Sequence, residues 1–203
     1  MQLVGMLDSP FVRRVAISMR VLDIRYQHNP LSIFRTYDEF RQLNPLVKVP
    51  TLICDDGELL VDSSLIIDYV ESLAGRSLMP ATAAQRRTAL QRIGVALVAM
   101  EKVAQRIYEL KVRPEEYRYE PWLQRLNEQL LSAIDAMEAS VAELDDGWMF
   151  GAQLTQADIT TAVAWRFINF AAPAIADLEQ RPALARFSLR AEQLPEFQAC
   201  PLE

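Results

Sequence analysis

The chain has 203 residues, of which 51% are hydrophobic and 24% are charged. This is the composition of an ordinary folded protein, and the length suffices for one large domain or two small ones. The formal net charge is −6, and neither half of the chain is basic. The sequence therefore argues against nucleic acid or an anionic lipid surface as a partner.

The scarce residue types narrow the chemistry further. There is one histidine, His28, and there are two cysteines, Cys54 and Cys200, which are too few for a Cys/His zinc cluster, so we expect no metal. The cysteines form no CxxC pair, so no disulfide framework is expected, and Cys54 is interpreted as a small core residue. The longest apolar run, residues 93–100, is too short to span a membrane, and no signal peptide is visible. We therefore expect a cytoplasmic protein without membrane association.

The first 77 residues alternate between strand and helix signals. Strands are predicted at Gln2–Leu7, Arg25–Asn29, Pro50–Cys54 and Glu58–Val61. Helices are predicted after Ser9-Pro10, over Thr36–Leu43, and from Leu65 to a stop near Gly75. The order β-α-β-α-β-β-α predicts an α/β domain with three helices on a four-stranded mixed sheet.

From about residue 84 onward the strand signals stop. Helices are predicted at Ala84–Val112, Trp122–Leu144, Thr155–Phe170 and Pro182–Gln193. Their short connections favour an all-α helical bundle, with three tryptophans expected in its core: Trp122, Trp148 and Trp165. Ala74–Ala83 is the predicted linker, so the predicted domains are residues 1–77 and 84–203.

One helix start is marked strongly. Thr155-Gln156-Ala157-Asp158 has the form of a capping box, with Asp in place of the usual Glu or Gln. Leu154 and Ile159 are placed for the accompanying hydrophobic staple. We therefore predict a structural rather than a catalytic role for Thr155 and Asp158.

The first candidate site is Asp8-Ser9-Pro10-Phe11, between the first predicted strand and helix. Ser9 suits the N-cap position and Pro10 suits the first helical turn, so Ser9 could simply cap the helix. Alternatively, the free amides of a helix N-terminus favour a bound anion. A serine hydroxyl there can donate to a thiolate and help to lower a thiol pKa from about 8.5. From the residues alone, both interpretations remain open.

Two further segments precede predicted elements. Lys48-Val49-Pro50, taken alone, is an ordinary entry into the third strand. Asp62-Ser63-Ser64 offers three capping residues before the third helix, where one would suffice. Asp62 could hold the ammonium group of an amino-acid zwitterion, while Ser63 and the helix N-terminus hold its carboxylate. Capping alone is an equally good interpretation of these residues.

Together and in this order, four segments resemble the glutathione S-transferase superfamily: SPFVRRV, NPLVKVPTL, VDSSLIIDYV and LTQADI. The resemblance spans nearly the whole chain and is closest to bacterial serine-type (theta/beta-like) members. It implies a thioredoxin-like N-terminal domain followed by an all-helical domain. It also implies a homodimer with a role in detoxification.

The resemblance assigns glutathione-binding roles residue by residue. Ser9 matches the residue that hydrogen-bonds the glutathione sulfur and stabilises its thiolate. Val49 matches the residue whose backbone pairs with the cysteinyl moiety, and Pro50 matches the cis-proline beside it. Lys48 would lie near the glycyl end.

The remaining assignments concern the γ-glutamyl group of glutathione and the pocket for the second substrate. Asp62 and Ser63 match the acidic-Ser pair that grips the γ-glutamyl group. A second-substrate pocket is expected from four residues: Leu7, Phe11, Arg106 and Tyr108. Tyr108 could be a pocket hydroxyl, although core packing is the favoured interpretation.

The resemblance implies a glutathione transferase that uses glutathione as co-substrate, needs no permanently bound cofactor and modifies a small electrophile. Neither Ser9 nor Val12 is a cysteine, which disfavours thiol transfer of the glutaredoxin type. Arg13 and Arg14 match the maleylacetoacetate isomerase signature only weakly. Two alternatives remain: a catalytically silent binding or regulatory protein, for example one that docks on transcription machinery, and a glutathione-dependent isomerase or dehalogenase.

Overall fold

The computed structural model describes residues 1–144 and 146–202. They form two compact units, one made of Met1–Leu78 with residues 193–202 and the other of Met79–Glu192. The end of the chain thus departs from the predicted helical domain, residues 84–203, because it packs with the N-terminal unit.

The first unit contains seven elements before its C-terminal segment. They are β1 (Gln2–Val4), α1 (Pro10–Val21), β2 (Gln27–Asn29), α2 (Tyr37–Leu43), β3 (Thr51–Ile53), β4 (Leu59–Val61) and α3 (Ser63–Ala74). The sheet order is β2-β1-β3-β4, with β1 parallel to β2 and antiparallel to β3, and β3 antiparallel to β4. This confirms the predicted four-stranded mixed sheet and its order of elements.

The first two strands are shorter than predicted. β1 ends at Val4 rather than Leu7 because Gly5 turns the chain with a φ of +134°. β2 begins at Gln27 rather than Arg25, where the Gln27 amide donates to the Met1 carbonyl at 3.0 Å. Each predicted strand extends beyond the residues that pair with a neighbouring strand.

The second unit is helical, as predicted. Its α-helices are α4 (Ala83–Ile107), α5 (Glu120–Val141), α6 (Gln156–Ala171), α7 (Pro173–Ala176) and α8 (Pro182–Glu192). Short 3-10 turns lie at Glu115–Tyr117 and Leu178–Gln180. No helix in the described ranges has the length and apolar character that crossing a membrane requires.

The predicted single helix Ala84–Val112 is corrected at its C-terminal end. α4 ends at Ile107, and Tyr108–Val112 form a π-helical turn in which the Arg113 amide donates to the Tyr108 carbonyl at 2.9 Å. Glu109 within this turn is only 4% exposed, and its carboxylate accepts from Arg113 Nε at 2.8 Å. The wider turn places Glu109 where the chain can bury and satisfy it.

Of the three tryptophans expected in the bundle core, only Trp165 is fully buried. Trp122 and Trp148 are half-buried. The rings of Trp148 and Phe187 pack edge-on, with their centroids 5.7 Å apart. The Arg190 guanidinium lies 4.9 Å from the centroid of the Trp148 ring. The expectation was wrong for these two because a large aromatic ring also packs well when partly exposed, and at Trp148 a cation lies over the ring.

The C-terminal segment of the first unit contains a short helix, α9 (Pro195–Gln198), and it is attached to α1 through Arg13. Arg13 is fully buried, and its Nε donates to the Cys200 carbonyl at 2.7 Å. The same guanidinium lies 5.8 Å from the ring of buried Phe197. These contacts explain why residues 193–202 belong to the first unit.

The predicted capping box forms at the start of α6. The fully buried Asp158 carboxylate accepts from the Thr155 amide at 2.8 Å and from the Thr155 hydroxyl at 2.6 Å. It also accepts from the Met149 amide at 2.8 Å, which ties the preceding loop to the helix. Burial raises the pKa of the Asp158 carboxyl, and these donors oppose the rise. The role of Asp158 is structural.

We expect Asp158→Ala to lower the free energy of unfolding by about 3 kcal/mol or more, because two buried amides would lose their acceptor. Urea unfolding followed by circular dichroism measures the change. Glu143→Ala, which truncates an exposed carboxylate, is the control and should have little effect. Equal losses in the two variants would contradict a structural role for the box.

Candidate functional site

The candidate site begins where β1 ends, at Gly5. The Gly5 amide donates to the Asn29 carbonyl at 2.9 Å, and its own carbonyl accepts from His28 Nε2 at 2.8 Å. A Cβ at Gly5 would lie 2.6 Å from Val12 Cγ2 and 3.0 Å from Val49 Cγ1. The absence of a side chain therefore lets the first turn of α1 and the Val49 loop approach the end of β1.

Ser9 immediately precedes α1, as predicted, and is half-buried. Its carbonyl accepts from the Arg13 amide at 2.9 Å, while its side chain makes no capping hydrogen bond to the helix. Pro10 occupies the start of the helix, where its missing N–H costs nothing. The interpretation of the Ser9 hydroxyl as merely a cap is therefore wrong, because this hydroxyl does not bind the first-turn amides.

The Lys48-Val49-Pro50 segment enters β3 through a cis peptide bond between Val49 and Pro50. Pro50 is buried, Val49 is half-buried and Lys48 is exposed. The Lys48 carbonyl accepts from Thr51 Oγ1 at 2.6 Å, and that oxygen accepts from Asn44 Nδ2 at 2.8 Å. These two hydrogen bonds hold the loop that carries Val49.

The third segment caps α3. Asp62 is the N-cap residue, with a φ of +71°, and its Oδ1 accepts from the Ser64 amide at 2.8 Å. The carboxylate is exposed, whereas Ser63 is only 3% exposed. The cap predicted from the sequence is therefore present, and it uses one oxygen of the Asp62 carboxylate.

The residue behind this segment, Arg14, was not among the predicted site residues. The Nη1 atom of Arg14 donates to Ser63 Oγ at 2.8 Å and to Ser64 Oγ at 3.1 Å. Arg14 is 1% exposed, and burial lowers its pKa to about 10, a shift that the charge of Asp62 opposes. The available signal was a pair of arginines, Arg13 and Arg14, within an apolar helical run.

The residues expected to bind a second substrate divide between the two units. Leu7, which is buried, and Phe11, which is half-buried, belong to the first unit. Arg106 belongs to the second, where it pairs with Asn127 and burial lowers its pKa. The expectation that Tyr108 packs in the core is wrong, because it is 45% exposed in the π-helical turn.

Both cysteines are free, and Cys54 is 8% exposed, in agreement with its interpretation as a core residue. No cluster of three or more His, Cys, Asp or Glu side chains within the described residues could hold a metal ion. The three candidate segments and the residue behind them offer the Ser9 hydroxyl, the first amides of α1 and α3, the exposed Asp62 carboxylate and the buried Arg14 guanidinium.

Comparison with known proteins matches both halves of the chain to domains of one family. A family model described as "Glutathione S-transferase, N-terminal domain" matches residues 3–78, and one described as "Glutathione S-transferase, C-terminal domain" matches residues 120–190. The chain belongs to the glutathione S-transferase superfamily.

Three individual proteins illustrate the similarity. The GST-like protein YibF of Escherichia coli K12 is 27% identical over 194 residues, which cover 92% of this chain and 91% of YibF. Maleylacetoacetate isomerase of Pseudomonas aeruginosa is 28% identical over 155 residues, 72% of this chain and 70% of the isomerase. A glutathione transferase family member from Pseudomonas fluorescens Pf-5, solved with bound glutathione, is 27% identical with a TM-score of 0.85; the match covers 100% of this chain and 98% of that one.

We expect Gly5→Ala to lower the free energy of unfolding by about 2 to 4 kcal/mol, because the new Cβ would clash with Val12 and occupy a strained φ. Gly94→Ala is the matched control: it lies inside α4 with no atom within 4 Å of the added Cβ. That change should raise stability by up to about 1 kcal/mol. Urea unfolding of both variants distinguishes the two sites, and a neutral Gly5→Ala would contradict the close approach.

Proposed function

We propose that this protein is a glutathione transferase that activates the glutathione thiol for attack on a small electrophile. The single observation that carries the proposal is the Ser9 hydroxyl, which stands at the start of α1 without capping it. Such a hydroxyl can donate to a sulfur anion held against the first-turn amides. The related Pseudomonas fluorescens protein, which carries bound glutathione, supports the choice of ligand.

In the proposed mechanism the glutathione thiol loses its proton to water and the resulting thiolate accepts a hydrogen bond from Ser9. The partial positive charge at the N-terminus of α1 further favours the anion, so the thiol pKa falls below about 8.5. The sulfur lone pair then forms a bond to the electrophilic carbon, and a leaving group departs or an adjacent double bond takes the electrons. Holding both reactants in one site supplies the remaining acceleration.

Glutathione would be bound along its length by three segments: residues 8–11, 48–50 and 62–64. The Val49 backbone, presented by the bond to Pro50, would pair with the cysteinyl unit, and Lys48 would lie near the glycyl carboxylate. Asp62 would bind the γ-glutamyl ammonium group, and Ser63 its carboxylate. The exposed Asp62 carboxylate at the N-cap of α3 supports this assignment.

The wider biological setting is part of the same proposal. We propose a homodimer in the cytoplasm with a role in detoxification, as the family resemblance implies. Leu7 and Phe11 of the first unit would contact the electrophile. Tyr108 of the second unit, which is 45% exposed, would also contact a small substrate.

We expect Ser9→Ala to lower kcat for conjugation of a chloronitrobenzene by about tenfold to a hundredfold, the effect of one hydrogen bond to a charged group. The glutathione KM should change little, and the ultraviolet absorbance of the bound thiolate should titrate at higher pH. Ser72→Ala is the control, because that exposed hydroxyl bonds only to the Tyr69 carbonyl of its own helix. An unchanged kcat would remove Ser9 from the mechanism.

A glutathione-dependent isomerase is the second candidate, which the similarity to Pseudomonas aeruginosa maleylacetoacetate isomerase favours. The two reactions differ in whether glutathione is consumed. We expect free thiol to disappear in step with product when a panel of electrophiles is supplied. Product formed at constant thiol would instead establish isomerisation, release of halide from a haloalkane would indicate a dehalogenase, and binding without turnover would indicate a regulatory protein.

A further inference from the structure

The N-terminus of α3 is hydrogen-bonded to a buried cation, the Arg14 guanidinium. The Arg14 side chain is 1% exposed, yet its Nη1 reaches two consecutive serine hydroxyls, at 2.8 Å for Ser63 and 3.1 Å for Ser64. A guanidinium can only donate hydrogen bonds, so both serine oxygens act as acceptors in these contacts. Each serine therefore keeps its own hydroxyl hydrogen for a different acceptor.

The charges around these hydroxyls favour an anionic acceptor. The first-turn amides of the 12-residue helix α3 contribute partial positive charge, and Arg14 adds a full charge beneath them. The Asp62 carboxylate raises the pKa of Arg14; its Oδ1 accepts from the Ser64 amide, and its side chain is exposed. Because burying a cation is costly, a carboxylate bound here would offset part of that cost. With a pKa of about 10, Arg14 carries its charge at neutral pH.

We propose that Arg14 is a positioning residue for substrate recognition, which orients the hydroxyls of Ser63 and Ser64 as donors toward the γ-glutamyl carboxylate of glutathione. Arg14 acts through the serines and does not itself touch the tripeptide. This inference rests on the proposed function. It makes the buried guanidinium responsible for discrimination in favour of a ligand that carries this carboxylate.

The test compares two ligands, glutathione and its decarboxylated analogue 4-aminobutyryl-cysteinyl-glycine, by isothermal titration calorimetry. The unmodified protein should bind glutathione at least tenfold more tightly than the analogue. Arg14→Gln should weaken glutathione binding about tenfold and leave analogue binding within twofold of its starting value. Ser63→Ala should act in the same way, and adding Arg14→Gln to it should produce little further loss because the two residues act in series.

Arg13→Gln is the matched control, because Arg13 is equally buried on the same helix but donates to the Cys200 carbonyl. Any loss in that variant should affect both ligands alike. If Arg14→Gln does not fold, Arg14→Lys serves instead, since it keeps the charge but cannot reproduce the guanidinium geometry. It should lose most of the discrimination between the ligands.

Equal weakening of both ligands in the folded Arg14 variant would show a merely structural role and overturn the inference. Unchanged discrimination would overturn it as well. Failure of the unmodified protein to bind glutathione at millimolar concentration would instead defeat the proposed function itself. The two failures are therefore distinguishable in the same experiment.

Discussion

The candidate site depends on the first backbone amides of two helices in the first unit, α1 and α3. An α-helix leaves its first amides without intrahelical acceptors, and those amides carry partial positive charge. At α1 the adjacent Ser9 side chain leaves them uncapped, whereas at α3 the Asp62 carboxylate binds one of them. Both helix starts thus favour a ligand with negative charge. The proposed positions of the glutathione sulfur and of its γ-glutamyl carboxylate follow from this one constraint.

Two adjacent arginines of α1, Arg13 and Arg14, attach different segments of the first unit to this helix. Consecutive residues on a helix face directions about 100° apart, so Arg13 and Arg14 reach different neighbours. Arg13 binds the Cys200 carbonyl and lies near the Phe197 ring, which fixes the C-terminal segment to α1. Arg14 binds the serines at the start of α3. A buried cation is seldom the most stable choice for a core position, so both are best understood by what they attach.

Features with a local physical cause could be predicted well from the sequence. The Thr155–Asp158 capping box needs only a hydroxyl and a carboxylate three residues apart, and the structure contains it. The strand and helix order of the first unit followed from changes in apolar periodicity. The cis bond before Pro50 was expected from the family resemblance rather than from the residues alone, and it is also present.

The sequence by itself determined the order of elements, the helix starts at Ser9 and Asp62, and the family, because these depend on short-range spacing and residue type. Only the tertiary structure decided that β1 stops at Val4, that α4 gives way to a π-helical turn, and that Tyr108 is exposed. It also decided which partners Arg13 and Arg14 have. The partners of the two arginines lie up to 187 positions away in the chain, and no local pattern specifies such pairings.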